Sequence, residues 1–285
     1  MKWIYGKQDW KTLERGLENC YLLTNGLGGF SSLTMPGAVS RNDHALLMSC
    51  GKAPNCRYNL VHRLKELRTE DESIFLSTQE FEEKEPETGY LHLTSFTYDD
   101  TPVWRFLANG VEIRKEIGML QKKNTVAVHY KIQNRSSRKI TFAVTPFYQF
   151  VPKGEDFGET QKFTCENTLH NVKIQSNGMT LFLRTNGKNE TIKETEECYF
   201  YRYDICDGRR GYGHARAYHK ITAEAEAGQC VELEVVYETE LSQLWAKEVI
   251  RETKQYRKEL EETAEITSDI GKVLVKSANQ FISER

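Results

Sequence analysis

The stretch that decides the fold is Asn109-Gly110-Val111-Glu112-Ile113-Arg114-Lys115-Glu116-Ile117-Gly118-Met119, followed shortly by Thr125-Val126-Ala127-Val128-His129-Tyr130-Lys131-Ile132. Both runs alternate apolar and polar side chains with a period near two, and they are rich in Val and Ile, as half-buried β-strands are. Asn-Gly before an alternating run is a strong hairpin signal. The stretch therefore predicts antiparallel strands joined by tight turns.

The same alternation recurs through most of the chain. It is present in residues 90–98, 138–147, 179–184, 197–205, 216–226 and 230–238, and a second Asn-Gly pair stands at Asn177-Gly178. No helical run separates these segments. Many short strands with hairpin turns predict a mainly β fold, an antiparallel sandwich that occupies residues 1–240.

The pattern changes near residue 240. Apolar residues at helical spacing among many charges predict an amphipathic linker helix over 241–266. Thr267-Ser268-Asp269 then offers a helix start. The next helix, within 267–285, carries an apolar stripe at Ile270, Val273, Leu274, Ser277, Ala278, Phe281 and Ile282. Such a stripe needs a cover. The helix either folds back on its own sandwich or packs into a further domain.

Composition narrows the class of protein. The chain has 285 residues and a net charge of −2, without a basic stripe, so we expect no nucleic-acid partner. No apolar run approaches the roughly 20 residues of a membrane span, and no signal-peptide core is present, which predicts a cytoplasmic protein without a membrane partner. The cysteines number seven and include no C-x-x-C pair, so we expect free, buried or half-buried thiols and no metal site.

A glycine-rich block near the start is the main candidate for function. It reads Tyr21-Leu22-Leu23-Thr24-Asn25-Gly26-Leu27-Gly28-Gly29-Phe30, and Arg41-Asn42-Asp43-His44-Ala45-Leu46-Leu47 follows it. The glycines mark either a purely structural turn or a backbone platform that presents Thr24 and Asn25 to a hydroxyl-rich ligand or a partner domain. Arg41, Asp43 and His44 form either a local polar network or the edge of a cleft.

These motifs resemble the N-terminal domain of bacterial and archaeal glycogen debranching enzymes, where L-L-T-N-G-L-G-G is followed by T-R-x-Y-H-G-L-L, an Arg in a proline-containing loop and a Glu. The resemblance implies a substrate-binding or interdomain site at Thr24, Asn25, Gly26, Gly28, Gly29, Arg41, His44, Arg57, Glu66 and, in a later Arg-Gly, Arg210. Asp43 and Ala45 depart from the family's Tyr and Gly.

The resemblance also implies a fold and a role. The fold is a galactose-mutarotase-like β-supersandwich followed by linker helices, and residues 267–285 are the first helix of an (α/α)6 catalytic domain that is the partner of this domain. The parent enzyme is an amylo-α-1,6-glucosidase that acts on α-1,6 branch points of glycogen or maltodextrin without a cofactor. Its catalytic carboxylates lie in the helical domain, so we expect no catalytic residue here. Alternatives are a simple carbohydrate-binding module and a stand-alone epimerase. The epimerase would need a His acid, usually with a second His, and a Glu base, which His129, His170, His214 or His219 with Glu224 or Glu226 could supply.

Overall fold

The computed structural model describes residues 3–69, 73–158 and 160–283. Within these ranges the chain is dominated by short strands. In the first half they are β1 (Trp3–Tyr5), β2 (Leu23–Thr24), β3 (Phe30–Ser32), β4 (Ala45–Lys52), β5 (Cys56–Thr69), β6 (Ser73–Phe75), β7 (Thr78–Gln79), β8 (Glu87–Thr88), β9 (Leu93–Tyr98), β10 (Pro102–Ala108), β11 (Val111–Met119) and β12 (Thr125–Asn134). In the second half they are β13 (Ile140–Pro152), β14 (Thr164–Asn167), β15 (Asn171–Ser176), β16 (Met179–Thr185), β17 (Lys188–Phe200), β18 (Tyr212–Ala225) and β19 (Cys230–Glu238).

Four α-helices accompany the strands in the described part of the chain. They are α1 (Leu13–Leu17), α2 (Arg202–Cys206), α3 (Ala246–Thr263) and α4 (Asp269–Asn279), and a single 3-10 turn spans Gly89–Leu91. The two long helices, α3 and α4, follow the last strand. This order confirms the predicted mainly β fold with C-terminal helices.

The first sheet has the order β1-β9-β10-β11-β12-β19-β16-β15-β14, with antiparallel pairing throughout. Its centre is the stretch that predicted the fold: Val111 pairs with Asn134, and Met119 pairs with Val126. The turn before β11 has positive φ at both Asn109 (44°) and Gly110 (77°), which is the tight turn that matches strand twist.

The second sheet has the order β17-β18-β13-β5-β4-β3-β2, and β6 pairs with β5. Its long central strands, β5 and β13, are paired from Thr69 opposite Thr141 to Tyr58 opposite Pro152, with register shifts near Tyr148. The small β7–β8 ribbon lies against this sheet, where Phe81 forms an isolated bridge with Tyr199. The two large sheets form the antiparallel supersandwich that the sequence predicted.

The main core fills the space between the sheets. Trp104 of the first sheet lies edge-on to Tyr21, with ring centroids 5.4 Å apart, and donates its indole N–H to Met35 O. Tyr130 of the first sheet packs on Phe142 of the second, with centroids 5.0 Å apart. Burial of these aromatic rings stabilises the fold, because each ring removes a large apolar surface from water.

Helix α3 covers one face of the first sheet. Ala246 and Val249 pack with Leu120, Ala127 and Val236 in a second, smaller apolar cluster. The contact is close because Gly118 carries no side chain: a Cβ at that position would lie 2.8 Å from Ile250 Cα. The helix that the amphipathic pattern predicted over 241–266 is therefore present as α3, and it begins five residues later than expected, at Ala246.

Helix α4 lies on the rest of the chain through its polar face. Buried Lys276 donates to Asp99 Oδ1 (2.8 Å) and Asp100 Oδ1 (2.9 Å) and forms an ion pair with Glu261 (2.7 Å). The apolar stripe points outward, with exposed fractions of 67% for Ile270, 62% for Leu274, 82% for Phe281 and 62% for Ile282. The helix thus folds back on its own domain while leaving the predicted apolar face uncovered.

Replacing Lys276 with methionine should detach α4 from the domain. Burial works against the charge of Lys276, but its bonds to Asp99, Glu261 and Asp100 hold the pKa above its ordinary value. Without the ammonium, three neighbouring carboxylates repel one another. We expect the local opening free energy of residues 269–279 to fall by about 1–2 kcal/mol, allowing for the partial exposure of the carboxylates.

Hydrogen exchange measures this effect directly. Amides of α4 should exchange about tenfold faster or more in Lys276→Met, while those of β11 and β12 keep their protection. Lys258→Met is the control, because the Lys258–Glu262 pair is exposed on both sides. Unchanged exchange in α4 of Lys276→Met would show that the ion cluster does not hold the helix.

Two predicted strands differ from the structure. The run 197–205 ends as a strand at Phe200, and α2 begins at Arg202, so Tyr203 does not share a strand face with Tyr199 and Tyr201. Tyr199 and Tyr201 are fully buried core residues. The run 90–98 begins with the 3-10 turn, and its strand starts at Leu93. The expectation of buried thiols is wrong for four cysteines that are exposed: Cys20, Cys56, Cys206 and Cys230.

Candidate functional site

The glycine-rich block forms a tight loop between β2 and β3. Asn25 Oδ1 accepts hydrogen bonds from the backbone N–H groups of Leu27 and Gly29, each at 3.0 Å, and Asn25 Nδ2 donates to Lys123 O and Asn124 Oδ1. All of its donors and acceptors are used inside the protein, and its side chain is fully buried. The prediction that Asn25 is presented to a ligand is therefore wrong, because the side chain organises the loop.

Gly28 lets this loop approach the hairpin between β4 and β5. Its φ is +102°, a backbone conformation that favours glycine, and a Cβ would lie only 2.3 Å from Pro54 O. Gly29 lies beneath the loop, where a Cβ would lie 2.7 Å from Asn25 Nδ2. The glycines therefore serve loop closure first.

A groove of about 340 Å³ opens beside this loop. The loop side of the groove and its flanks are formed by Leu22, Thr24, Gly26, Gly28, Phe30, Ser32, Asp43, His44 and Arg57, and the opposite wall is formed by Gln280, Phe281, Ile282 and Ser283. Thr24 Oγ1 donates to Gln280 Oε1 at 2.8 Å, which joins the two walls. Five residues that the sequence singled out, Thr24, Gly26, Gly28, His44 and Arg57, thus line one groove; we name it the glycine-loop groove.

His44 presents a neutral donor at this groove. The backbone N–H of Ser40 donates to His44 Nδ1 at 3.2 Å, so the proton of the neutral ring is on Nε2. Burial, helped by the charge of Arg41, lowers the pKa of His44 to about 4. Among the described residues none accepts a hydrogen bond from Nε2. The ring therefore offers one N–H donor, without charge, across the neutral pH range.

Arg57 supplies the positive charge of the groove. Its guanidinium carbon is 6.0 Å from the centroid of the Phe30 ring, within reach of a cation–π contact. Its Nε is buried without a hydrogen-bond partner in the described structure. A buried N–H without an acceptor is costly, so this is a position where an additional group would be stabilised.

Asp43 is the carboxylate of the groove, and it is already neutralised. Lys153 Nζ lies 2.6 Å and Arg209 Nη1 lies 3.4 Å from its Oδ2. Neither cation was recognised in the sequence, because both come from distant loops. Asp43, which stands where the family pattern has Tyr, is therefore paired with two cations.

Besides Asn25 and Gly29 in the loop itself, three predicted site residues lie outside the groove. Arg41 pairs with Asp207 and lies 3.6 Å from Asp204 Oδ1, which ties the loop before β4 to α2. Arg210 Nε donates to Tyr212 O at the surface. Glu66 is buried between the sheets, where Tyr130 Oη donates to it at 2.6 Å and Lys115 Nζ lies at 2.7 Å. A cleft position is therefore wrong for buried Glu66, whereas Arg210 is exposed outside the groove and its cleft role stays a prediction. Arg41 belongs to a local polar network.

Sequence reasoning also missed a buried ion cluster on the other face of the second sheet. Arg63 pairs with Glu87 (2.5 Å) and Glu197 (3.8 Å) among the rings of Phe81 and Tyr199. Burial alone would raise the pKa of Glu197, but Arg63, Lys65 and Lys84 lower it to about 2. This carboxylate stays ionised, which suits an internal ion pair and not a general acid.

The histidines proposed for an epimerase do not converge. His219 bonds to Tyr148 Oη (2.6 Å) and Asn189 Oδ1 (2.7 Å), whereas His214 bonds to Asp156. His170 faces Gly187 O, and His129 lies 3.7 Å from Glu232. Glu224 and Glu226 both pair with Lys139. Within the described residues, no cleft therefore holds an epimerase's histidine acid and glutamate base together.

Among the described residues, no group of three or more His, Cys, Asp or Glu side chains is arranged to hold a metal ion. No helix in these ranges has the length and apolar character required to span a membrane.

The buried histidines predict acid sensitivity. Burial lowers the pKa of His44 to about 4 and those of His62 and His219 to about 3. Between the unfolded pKa near 6.5 and these values, the unfolded chain binds more protons, so the free energy of unfolding falls as pH falls. We expect a loss of about 1–2 kcal/mol per histidine from pH 7 to pH 5.

Urea unfolding at several pH values measures this loss. His219→Gln should unfold with a shallower pH dependence between pH 7 and 5 than the unchanged protein, whatever its absolute stability. An equal slope in the two proteins would contradict the assignment of His219 as a neutral buried ring.

Comparison with known proteins identifies the family to which this chain belongs. The search of curated proteins found no match. The family described as "Glycogen debranching enzyme N terminal" matches residues 19–231, which is more than half of the chain. This range contains the glycine-loop groove except for its wall of residues 280–283.

Several solved structures are similar at low identity. A protein described as a kojibiose phosphorylase from the human microbiome is 10% identical with a TM-score of 0.40, and a bacterial glucoamylase complexed with acarbose is 13% identical with a TM-score of 0.34. The comparisons cover 98% and 92% of this chain but only 37% and 36% of those proteins. A GalM/aldose epimerase homologue from C. elegans is 12% identical over 77% of this chain and 98% of its own, with a TM-score of 0.45. By the match over residues 19–231, the chain belongs to the family of glycogen debranching enzyme N-terminal domains.

Proposed function

We propose that this chain is the non-catalytic N-terminal domain of a glycogen debranching enzyme-like glycoside hydrolase, and that its glycine-loop groove faces the α-glucan. The substrate would be the α-1,6 branch points of glycogen or maltodextrin, in the cytoplasm. The observation that carries the proposal is that Thr24, Gly26, Gly28, His44 and Arg57, which are far apart in sequence, line one groove. Uncharged donors beside an aromatic ring suit a hydroxyl-rich ligand.

The carboxylates of the described residues support a non-catalytic role. A glycosidase needs two carboxyl groups on either side of the scissile bond, one of them protonated. The groove holds one, Asp43, which two cations neutralise. Buried Glu66 and Glu197 are engaged by Lys115 and Arg63. We therefore assign hydrolysis to a helical domain outside this chain.

The C-terminal helix supports the same arrangement. Its exposed apolar residues Ile270, Leu274, Phe281 and Ile282 form a face suited to packing against other helices. Gln280 to Ser283 also form one wall of the groove. A helical domain that includes residues 267–285 would begin beside the groove, and the glucan would then meet both domains there.

Calorimetric titration with panose and maltotetraose tests the glucan-facing role. We expect weak, millimolar binding, because one open groove contacts few sugar rings. Phe30→Ala and His44→Ala should each weaken it about fivefold or more, at the roughly 1 kcal/mol of a lost ring contact or hydrogen bond. Tyr212→Ala, which removes an exposed ring outside the groove, is the matched control. Binding that is absent, or equally tight in Phe30→Ala and His44→Ala, would contradict the proposal.

The epimerase is the second candidate, and it predicts a different result. Incubation with α-glucose would then accelerate the change in optical rotation. We expect the uncatalysed rate, since His129, His170, His214 and His219 have separate partners. Rapid equilibration of the anomers would replace the glycosidase proposal with an epimerase.

A further inference from the structure

One corner of the glycine-loop groove contains hydrogen-bond donors without an acceptor. Arg57 forms no hydrogen bond or ion pair through its guanidinium with any described residue, and its Nε is shielded from solvent. The other arginines near this end of the domain are paired: Arg41 with Asp207, and Arg209 with Asp43. The unpaired charge is therefore a specific property of Arg57 and not of the surrounding surface.

The acidic residue in the same groove does not complete the pair. Asp43 Oδ2 is held by Lys153 Nζ at 2.6 Å and by Arg209 Nη1 at 3.4 Å. These two cations balance the carboxylate before Arg57 is considered. The groove therefore keeps a net positive corner.

A second donor is available on the same groove surface. The Ser40 N–H fixes the His44 tautomer, so Nε2 carries the proton of this ring, which is one of the residues that line the groove. Phe30 lies under the guanidinium of Arg57 and gives the corner an apolar floor. A planar cation, a neutral N–H and a ring can bind one carboxylate with its short aliphatic stem.

We propose that Arg57 and His44 form a carboxylate-binding site in the glycine-loop groove, and that the carboxylate belongs to an Asp or Glu side chain of the polypeptide that packs against this groove. The inference rests on the proposed interdomain position of the groove. A neutral sugar would accept hydrogen bonds from both residues but would leave the charge of Arg57 unbalanced. A carboxylate satisfies the charge and the buried N–H together.

A polypeptide is the favoured source because this surface is already a place where chain segments meet. Gln280 to Ser283 form one wall, and Thr24 bonds to Gln280 across the groove. Phe281 and Ile282, at 82% and 62% exposed, extend an apolar surface from the same wall. A segment that covers these residues would bring its side chains to Arg57.

The test follows the side-chain Nε–Hε signal of Arg57 by NMR. Acetate serves as the probe for an Asp or Glu side chain, and sodium chloride keeps the ionic strength constant. We expect a saturable downfield shift of the Arg57 signal, with no such shift at exposed Arg135, whose side chain is 72% exposed. Arg57→Gln should abolish the saturable acetate-dependent shifts of the backbone amides that line the groove, and His44→Ala should weaken acetate binding about fivefold through the lost donor.

The outcomes separate this proposal from the glucan proposal. No saturable shift with acetate, or equal shifts at Arg57 and Arg135, would overturn the carboxylate site. Glucuronate that binds about tenfold tighter than acetate or more would overturn the side-chain source and identify a sugar acid instead. Maltotetraose, titrated in parallel, reports on the neutral glucan: its failure with a positive acetate result would leave the carboxylate site intact.

Discussion

Replacing Arg63 with methionine should lower the free energy of unfolding by about 3–5 kcal/mol, the range for removing one partner of a buried ion pair. Arg63 is 1% exposed, and it is the cation between Glu87 and Glu197. Without it both carboxylates remain buried beside Phe81 and Tyr199, and the remaining cations near them among the described residues are Lys65 and Lys84, at the edge. Urea denaturation of the two proteins measures the difference.

Two controls test whether the loss comes from the buried ion pairs of Arg63. Arg105→Met removes an exposed partner of Glu112 and should cost about 0.5 kcal/mol or less. The double substitution of Glu87→Gln and Glu197→Gln in the Arg63→Met protein removes both stranded charges and should recover part of the loss. If Arg63→Met is as stable as Arg105→Met, the ion cluster does not contribute to the fold as described.

Replacing Gly28 with alanine should have the next largest effect, a loss of about 2–4 kcal/mol of unfolding free energy. Part of the cost is the positive φ of +102°, and part is the overlap of the new Cβ with Pro54 O at 2.3 Å. The β2–β3 loop would have to move away from the β4–β5 hairpin. We therefore also expect loss of sugar binding, because this loop forms one wall of the groove.

A second glycine with positive φ separates the backbone part of that cost from the steric part. Gly178 has a positive φ of 73°, but a Cβ there would meet nothing within 4 Å. Gly178→Ala should cost about 1 kcal/mol, the backbone term alone, and leave the groove unchanged. Equal losses in Gly28→Ala and Gly178→Ala would show that close packing against Pro54 is unimportant.

Most of the architecture could be predicted from local patterns. Two of the predicted runs, 111–119 and 230–238, coincide with β11 and β19, because their alternation is uninterrupted and turns bound them. The Asn-Gly pairs marked tight turns because positive φ at two successive residues is tolerated there. The strand predicted over 197–205 ends at Phe200 in the structure. The alternation of Tyr201 and Tyr203 beyond it is equally compatible with the short helix α2.

The site was harder to predict because burial depends on the tertiary fold. The pair Thr24-Asn25 does not reveal which side chain faces the groove. Thr24 bonds to Gln280 across the groove, whereas Asn25 bonds inward to Asn124, about a hundred positions away in the sequence. The resemblance implied a cleft position for Glu66, but β5 places this side chain between the sheets, within hydrogen-bond distance of Tyr130. The partners of Asp43 likewise come from separate loops.

The structure shows the surroundings of the two residues that depart from the family pattern, Asp43 and Ala45. Ala45 is fully buried at the start of β4, where its backbone pairs with Ser32 of β3. Asp43 holds Lys153 and Arg209 at the rim of the groove. The carboxylate of Asp43 is thus already engaged, whereas the guanidinium of Arg57 forms no hydrogen bond or ion pair with the described residues.

Chemical-shift mapping with panose tests the central proposal most directly, because it reports where an α-1,6-linked glucoside contacts the domain. We expect saturable backbone shifts at the glycine-loop groove, centred on Thr24 to Phe30, His44 and Arg57, with no release of glucose over the experiment. Shifts confined to another surface, or no shifts at concentrations well above a millimolar dissociation constant, would contradict the proposal that this groove faces the glucan.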